Sequence, residues 1–293
     1  MIEAANRSCA LDANRSRCFH LQTAAGAVSA IVLFDGPALD LTIALPLELK
    51  EMFLRSLELL KRTDADLNAY PFSIPAIQSL QTLEFKSNVT FFVGENGSGK
   101  STLLEAIAYQ CGFHTAGGGR NNYYEVDAAH SALGEHIRLS WLPKITNGFF
   151  LRAETFYHFA SYLDTLPESL RYYGGRSLHE QSHGEAFLSL FTHRFRKKAI
   201  YLLDEPEAAL SPARQLALLR IIKDLEKEAQ FIIATHSPIL LGYPNAQILN
   251  FDAQPISEIR YEETMHYILT RKFLENRTKV LRELFEEQVE QED

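Results

Sequence analysis

The chain has 293 residues, 46% of them hydrophobic and 23% charged, with a formal net charge of −8. That is enough apolar material for the core of one large domain, or of one domain plus an extension. The acidic balance argues against a broad basic surface wrapped by nucleic acid and leaves only a local patch open. Three cysteines, Cys9, Cys18 and Cys111, form no C-x-x-C pair and leave an odd count, so a reducing cytoplasm is expected rather than a disulfide framework. The longest apolar run, "AAGAVSAIVLF" at 24–34, is too short for a bilayer helix, which needs ~20 residues. Arg15 and Arg17 precede it as in a signal peptide, but no small-x-small cleavage site follows, which favours a strand or loose segment.

Residues 1–51 carry no motif, and the domain is expected over 52–293. The first segment is expected to be an extension, either poorly ordered or non-native sequence from an upstream start codon. "MFLRSLELLK" from Met52 reads as a first strand, followed by a proline-punctuated connection at 70–77. "QTLEFKS" (81–87) and "NVTFFVG" (88–94) read as strands, the second a buried run of the parallel-sheet kind. "KSTLLEAIAYQ" (100–110) has helical spacing through Leu103, Leu104, Ile107 and Ala108, and a glycine-rich loop follows at 112–124.

"IRLSWL" and "GFFLRAETFY" read as further strands, and 160–177 as a short helix ending in a Gly-Gly break. "GEAFLSLFTHRF" (184–195) is a helix. "AIYLLDEPE" (199–207) is a buried strand with an amphipathic helix after it at 211–229, and "FIIATHSP" (231–238) repeats strand then polar turn. "AQILNFD" and "ISEIRYEE" read as closing strands. The tail from Thr264 has helical apolar spacing at Tyr267, Ile268, Phe273, Leu281 and Leu284. Strands alternating with helices predict an α/β layered domain.

"GENGSGKS" (94–101) matches G-x-x-x-x-G-K-S/T, and it follows an apolar strand and opens a helix. Gly94, Gly97 and Gly99, with Glu95, Asn96 and Ser98 between them, would let backbone amides curl around phosphate oxygens. The helix N-terminus adds partial positive charge. Lys100 can reach the β and γ phosphates of ATP, Ser101 can hold Mg²⁺, and Thr102 can serve the α phosphate. The run "LLDE" ends a second strand in two carboxylates. Asp204 is the candidate for Mg²⁺, and Glu205 for orienting and deprotonating water. His236, after "FIIAT", is the candidate γ-phosphate contact.

The series "GENGSGKST", "QSHGE", "YLLDEPEAALSP" and "ATHSP" resembles the heads of ABC-type P-loop ATPases, in their order. The closer likeness is to small single-domain bacterial ATPases of the soluble branch that includes SMC and RecF-like heads. It covers residues 52–293. The resemblance implies a mostly parallel core sheet flanked by helices, an antiparallel N-terminal β part and a helical signature subdomain. It implies a homodimer that closes head to tail around Mg-ATP. Ser182 and Gly184 of "QSHGE" match the signature positions that meet the partner's γ-phosphate, and "EAAL" (207–210) matches the D-loop.

The sequence also departs from the pattern. His183 stands where the signature has glycine, and Gln181 where it has leucine. No Q-loop glutamine stands between the motifs, and "RAET" offers Glu154 instead. No adenine-stacking aromatic is assigned.

Other readings stay open. "HEQSH" (179–183) is also the zinc-protease pattern H-E-x-x-H, which needs His179 and His183 on one helical face and a third ligand. Gly174-Gly175 and Gly184 oppose that helix. "RFRKK" (194–198) could touch nucleic acid, though a solvated loop is the plainer reading, and Arg120 could reach over the nucleotide. The ATPase could be an ATP-gated interaction switch with slow hydrolysis, or a transporter's ATPase subunit. A cytoplasmic protein with no membrane segment is expected.

Overall fold

The computed structural model describes residues 16–23, 26–33, 52–60, 69–115, 117–119, 132–166, 170, 175–180 and 183–286. The chain divides into two units, Met1–Lys50 and Glu51–Asp293. In the first, β1 (Ser16–Thr23) and β2 (Gly26–Leu33) form an antiparallel hairpin in register from Ser16 opposite Leu33 to Thr23 opposite Gly26.

The second unit is built on the apolar runs. β5 (Val89–Val93), β8 (Ala199–Asp204) and β9 (Ala229–Ala234) are buried at every position, as strands covered on both faces must be. With β7 (Gly148–Arg152), β10 (Gln247–Asn250) and β11 (Ser257–Glu258) they make a sheet of order β11-β10-β5-β9-β8-β7. Every pairing from β10 to β7 is parallel; only β11 runs against its neighbour.

Because side chains alternate across a strand, each strand feeds two cores. Phe91, Phe149, Tyr201 and Phe231 point to one face, where they meet helices α3 (Phe156–Asp164), α4 (His183–Arg194) and α5 (Pro212–Leu225). Phe92, Phe150, Leu202 and Ile232 point to the other, against α1 (Pro75–Gln78) and α2 (Lys100–Cys111). A second, antiparallel sheet closes that face, with β3 (Leu54–Leu59) between β4 (Thr82–Glu84) and β6 (Ile137–Trp141). The architecture is therefore the α/β one expected, with a mostly parallel core sheet and an antiparallel part near the start of the unit. No helix among the described residues is long and apolar enough to cross a membrane.

Two stretches differ from the sequence reading. The strand in "GFFLRAETFY" stops at Arg152, and the chain turns at once into α3, because Phe156, Phe159, Ala160 and Leu163 belong to the core beneath the sheet. "ISEIRYEE" gives only two strand residues and then a 3-10 turn, Tyr261–Glu263, closed by Arg260 and Glu263 across its ends. The tail is helical, as α7 (Met265–Glu275) and α8 (Arg277–Glu286), after a short α6 (Pro238–Leu241). Its apolar residues form no core stripe, for Ile268, Phe273 and Leu284 are exposed.

Gln230 ties the two sheets together. It is fully buried on β9, and its amide closes two bonds with the Leu54 backbone, accepting from the N–H at 2.7 Å and donating to the carbonyl at 2.9 Å. Gln230→Leu would keep the volume and strand both backbone groups, each costing roughly 1–3 kcal/mol. Equilibrium denaturation of the variant is expected to show a loss of about 2–6 kcal/mol; a loss below about 1 kcal/mol would deny the tie.

Candidate functional site

Parallel pairing places the carboxyl ends of five neighbouring strands on one edge of the sheet, where open α/β sheets bind ligands. In spatial order these ends supply Asp252 after β10, the glycine loop after β5, His236 after β9, Asp204 and Glu205 at β8, and Arg152 at β7. The sequence-read pieces thus come together, with β9 and its histidine between the phosphate loop and the carboxylates.

The loop Gly94–Lys100 leaves β5 and enters α2. Gly97 and Gly99 have φ of +82° and +100°, values that side chains other than glycine rarely adopt. At Gly99 a Cβ would also press on Ile74 at 3.0 Å. Asp252 Oδ1 accepts from the Glu95 N–H at 2.9 Å and pins the loop from the neighbouring strand. Lys100 is buried and donates from Nζ to the carbonyls of Gly94 (2.7 Å) and Glu95 (2.8 Å). Burial pushes its pKa down, opposed by the carboxylates of Glu205, Asp252, Asp204 and Glu95. The Ser98 hydroxyl is buried without a hydrogen-bond partner.

Beside the loop, Ser101 Oγ donates to Asp204 Oδ1 at 2.9 Å. A hydroxyl and a buried carboxylate in contact are hard oxygen donors, the set from which Mg²⁺ takes one or two protein ligands while phosphates and waters fill the rest. The residues present therefore fit that ion. Among the described residues no group of three or more His, Cys, Asp or Glu side chains could hold a metal by itself. Arg152 Nε stands 3.5 Å from the other Asp204 oxygen, and the same guanidinium pairs with Glu105 and Glu154, each at 3.2 Å. Burial raises Asp204 to about 6 against the lowering pull of Arg152 and the Ser101 bond. Burial likewise raises Glu105, with Arg152 opposing. Glu154, the sequence candidate for the Q-loop position, is largely exposed, and the side chain touching Asp204 is Arg152 instead.

Glu205 closes β8 in the left-handed region (φ 49°, ψ 51°), an unusual conformation for a residue with a side chain. Its N–H still donates to the Ala234 carbonyl at 2.9 Å, so the strand end is held while the carboxylate turns out of the ladder. His236 Nε2 lies 3.9 Å from Glu205 Oε1. The His236 N–H donates to Glu207 Oε1 at 2.6 Å, which links the candidate D-loop to the histidine. On its other side, His236 Nδ1 is 2.8 Å from Nε2 of His266, the second residue of α7.

The signature segment is described in part. Gln181 and Ser182 lie outside the described residues, as does Arg120. The helix α4 begins at His183, so Gly184 sits in its first turn. Gly184 is buried under Arg214 of α5, and a Cβ there would fall 2.1 Å from Arg214 Nη1. His179 stands apart from that helix in a 3-10 turn, Leu178–Glu180, with its Nε2 2.9 Å from Ser161 Oγ and its ring against Tyr157. The two histidines of "HEQSH" therefore do not share the helical turn that the zinc-protease pattern requires.

Four site residues escape the sequence reading: Tyr70, Arg152, Asp252 and His266. Tyr70 is 74% exposed, and its hydroxyl lies 3.3 Å from Thr102 Oγ1, so an aromatic ring stands free beside the start of α2. Its signal in the sequence is an aromatic residue before a proline in the connection ahead of the loop. For Arg152 the signal is the end of an apolar run. Asp252 and His266 carry no local signal.

The raised Asp204 pKa predicts a pH-dependent cost. The folded state favours the protonated form, so the ionised carboxylate destabilises the chain, and this cost grows as pH rises from 3.8 towards about 6. Asp204→Asn removes it. Above about pH 6 the variant is expected to be more stable than the parent by up to roughly 3 kcal/mol, and below pH 3.8 the difference should vanish. Melting curves across that range check it; an Asn variant less stable at pH 8 would contradict it.

Comparison with known proteins matches residues 72–146 to a family described as "AAA domain". Residues 172–242 match a second, "AAA domain, putative AbiEii toxin, Type IV TA system". A "Probable branched-chain amino acid transport ATP-binding protein LivF" of Archaeoglobus fulgidus is 33% identical over 157 residues, 47% of this chain. The chain spans 65% of that relative's length. Among solved structures, an ATP-binding cassette of an ABC transporter in its ADP conformation covers 78% of this chain and 97% of its own, at 20% identity and a TM-score of 0.40. The SMC head domain from Thermotoga maritima covers 71% and 99%, at 15% identity and a TM-score of 0.37. The motif order and the two family matches point the same way: residues 72–146 and 172–242 are each similar to an AAA domain.

Proposed function

We propose that the chain binds Mg-ATP at the 94–102 loop and hydrolyses it, with the nucleotide closed between two copies arranged head to tail. The observation that carries this reading is the meeting of Lys100, the Ser101–Asp204 pair, Glu205 and His236 at adjacent ends of β5, β8 and β9.

Each residue then has a task. The loop amides and the α2 N-terminus bind phosphate oxygens. Lys100 exchanges its two loop carbonyls for β and γ phosphate oxygens, and its depressed pKa reflects how strongly burial calls for an anion there. Ser101 and Asp204 would hold Mg²⁺, which when bound supplies positive charge to the phosphates. Glu205 takes the proton of the attacking water, and its outward-turned backbone frees the carboxylate for that role. His236 donates to the γ-phosphate from the Nε2 that faces Glu205. The exposed Tyr70 ring stacks on the base.

The Glu205 and His236 side chains are partly exposed. A second copy's α4 N-terminus, with Gly184 and Ser182, would cover the γ-phosphate and exclude water. Arg214 swings from Gly184 for that contact to form. The cycle drives or gates a cytoplasmic process, for which nucleic-acid maintenance and defence are the candidate settings. The toxin–antitoxin wording of one family description supports defence. The LivF relative supports a second reading, an ATPase subunit working on a membrane partner.

Two variants test the assignment. Glu205→Gln is expected to lower ATP turnover by ~10²–10⁴-fold while retaining ATP binding, and to accumulate an ATP-dependent dimer in light scattering. Parental turnover in that variant would remove Glu205 from the chemistry. Tyr70→Ala is expected to raise KM for ATP about tenfold with kcat little changed, the cost of one lost base stack; an unchanged KM would leave Tyr70 without a role.

A further inference from the structure

His236 is not the last histidine of the site. His266 reaches it from α7, a helix more than two dozen residues further along the chain. Its Nε2 is 2.8 Å from His236 Nδ1, and the rings cross at 62° with centroids 4.9 Å apart. The remaining ring nitrogens, His236 Nε2 and His266 Nδ1, are buried and have no hydrogen-bond partner among the described residues. His236 Nε2 faces Glu205 Oε1 at 3.9 Å.

We propose that His266 is a positioning residue for ATP hydrolysis: its Nε2–H donates to His236 Nδ1 and so fixes His236 as the tautomer with its proton on Nε2, facing Glu205 and the γ-phosphate. This rests on the ATPase reading of the site. Two neutral imidazoles joined by one N–H···N bond can share it in either direction. If His236 were the donor, its bare Nε2 lone pair would face the Glu205 carboxylate and could give nothing to a phosphate oxygen. With His266 as donor, an N–H points the same way, towards an anion. The carboxylate 3.9 Å away therefore selects the second arrangement. Burial, then the nearness of His236 and Lys100, holds the His266 pKa below its ordinary value, against the opposite pull of Glu95 and Asp252.

The placement of His266 is itself secured. Thr264, nearly fully buried, caps α7 by accepting from the Tyr267 N–H and donates to the Tyr261 carbonyl. The Tyr261 hydroxyl donates to Pro238 O at 2.9 Å, two residues past His236. The first turn of α7 is thus fastened to the segment that carries its histidine partner.

The test uses the full chain and three readouts: folding by thermal melting, His236 tautomer by long-range ¹H–¹⁵N imidazole spectra without nucleotide, and ATP turnover. The parent is expected to show His236 protonated on Nε2. His266→Phe keeps the ring volume and removes the donor. It should show a mixed His236 tautomer and a kcat about tenfold lower or more, with KM changed less than about twofold. His266→Gln keeps an amide N–H within reach of the same acceptor and should recover most of the turnover. In a His236→Ala background, His266→Phe should add no further loss. A folded His266→Phe with the parental tautomer and kcat would overturn the proposal, as would a loss confined to KM or a further loss without His236. If the parent shows no turnover, the ATPase reading fails, while the spectra still decide which nitrogen carries the proton and whether His266 sets it.

Discussion

The parallel ladder from β10 through β5, β9 and β8 to β7 is the constraint on which the rest depends. Parallel strands share direction, so their carboxyl ends fall on one edge whatever their distance in the chain. Here that edge gathers groups from Gly94 to Asp252 into one site. The ladder needs both faces covered, because strands buried at every position must be roofed by helices or another sheet. The two cores supply the roofs, and Gln230 joins the sheets across one of them.

Within that frame the site is a chain of linked polar groups. Asp252 steadies the loop, Ser101 meets Asp204, Arg152 balances the buried carboxylate, and Glu207 holds the backbone of His236. Arg152, and not the Q-loop candidate Glu154, is the side chain that faces Asp204. Its charge against Asp204 offsets part of the desolvation that raises the carboxylate's pKa. Ser101 takes one Asp204 oxygen and Arg152 faces the other, so a cation at Ser101–Asp204 would share the carboxylate with Arg152.

How much of this could be read from the sequence follows from locality. The glycine loop is legible because strand, turn and helix are contiguous, and each residue type serves backbone geometry or phosphate contact in place. "LLDE" is legible because a buried strand ending in carboxylates is rare without a purpose. Arg152 is visible only as a strand end, and Glu154 two residues later is the more obvious candidate; the structure sends Glu154 to solvent and Arg152 to Asp204. His266 is not legible at all. It sits in a helical tail, and only the fold of 237–264 brings it to His236. The tail's apolar spacing correctly signals helix but not burial, since helical period records a face without saying what covers it.

The central claim is that the glycine loop and Lys100 bind the phosphates of ATP. Calorimetric titration of Mg-ATP into the full chain and into Lys100→Ala tests it most directly. Saturable binding of one nucleotide per chain that is lost in Lys100→Ala is the predicted result. Equal binding by both chains, or no binding by the parent, would contradict it.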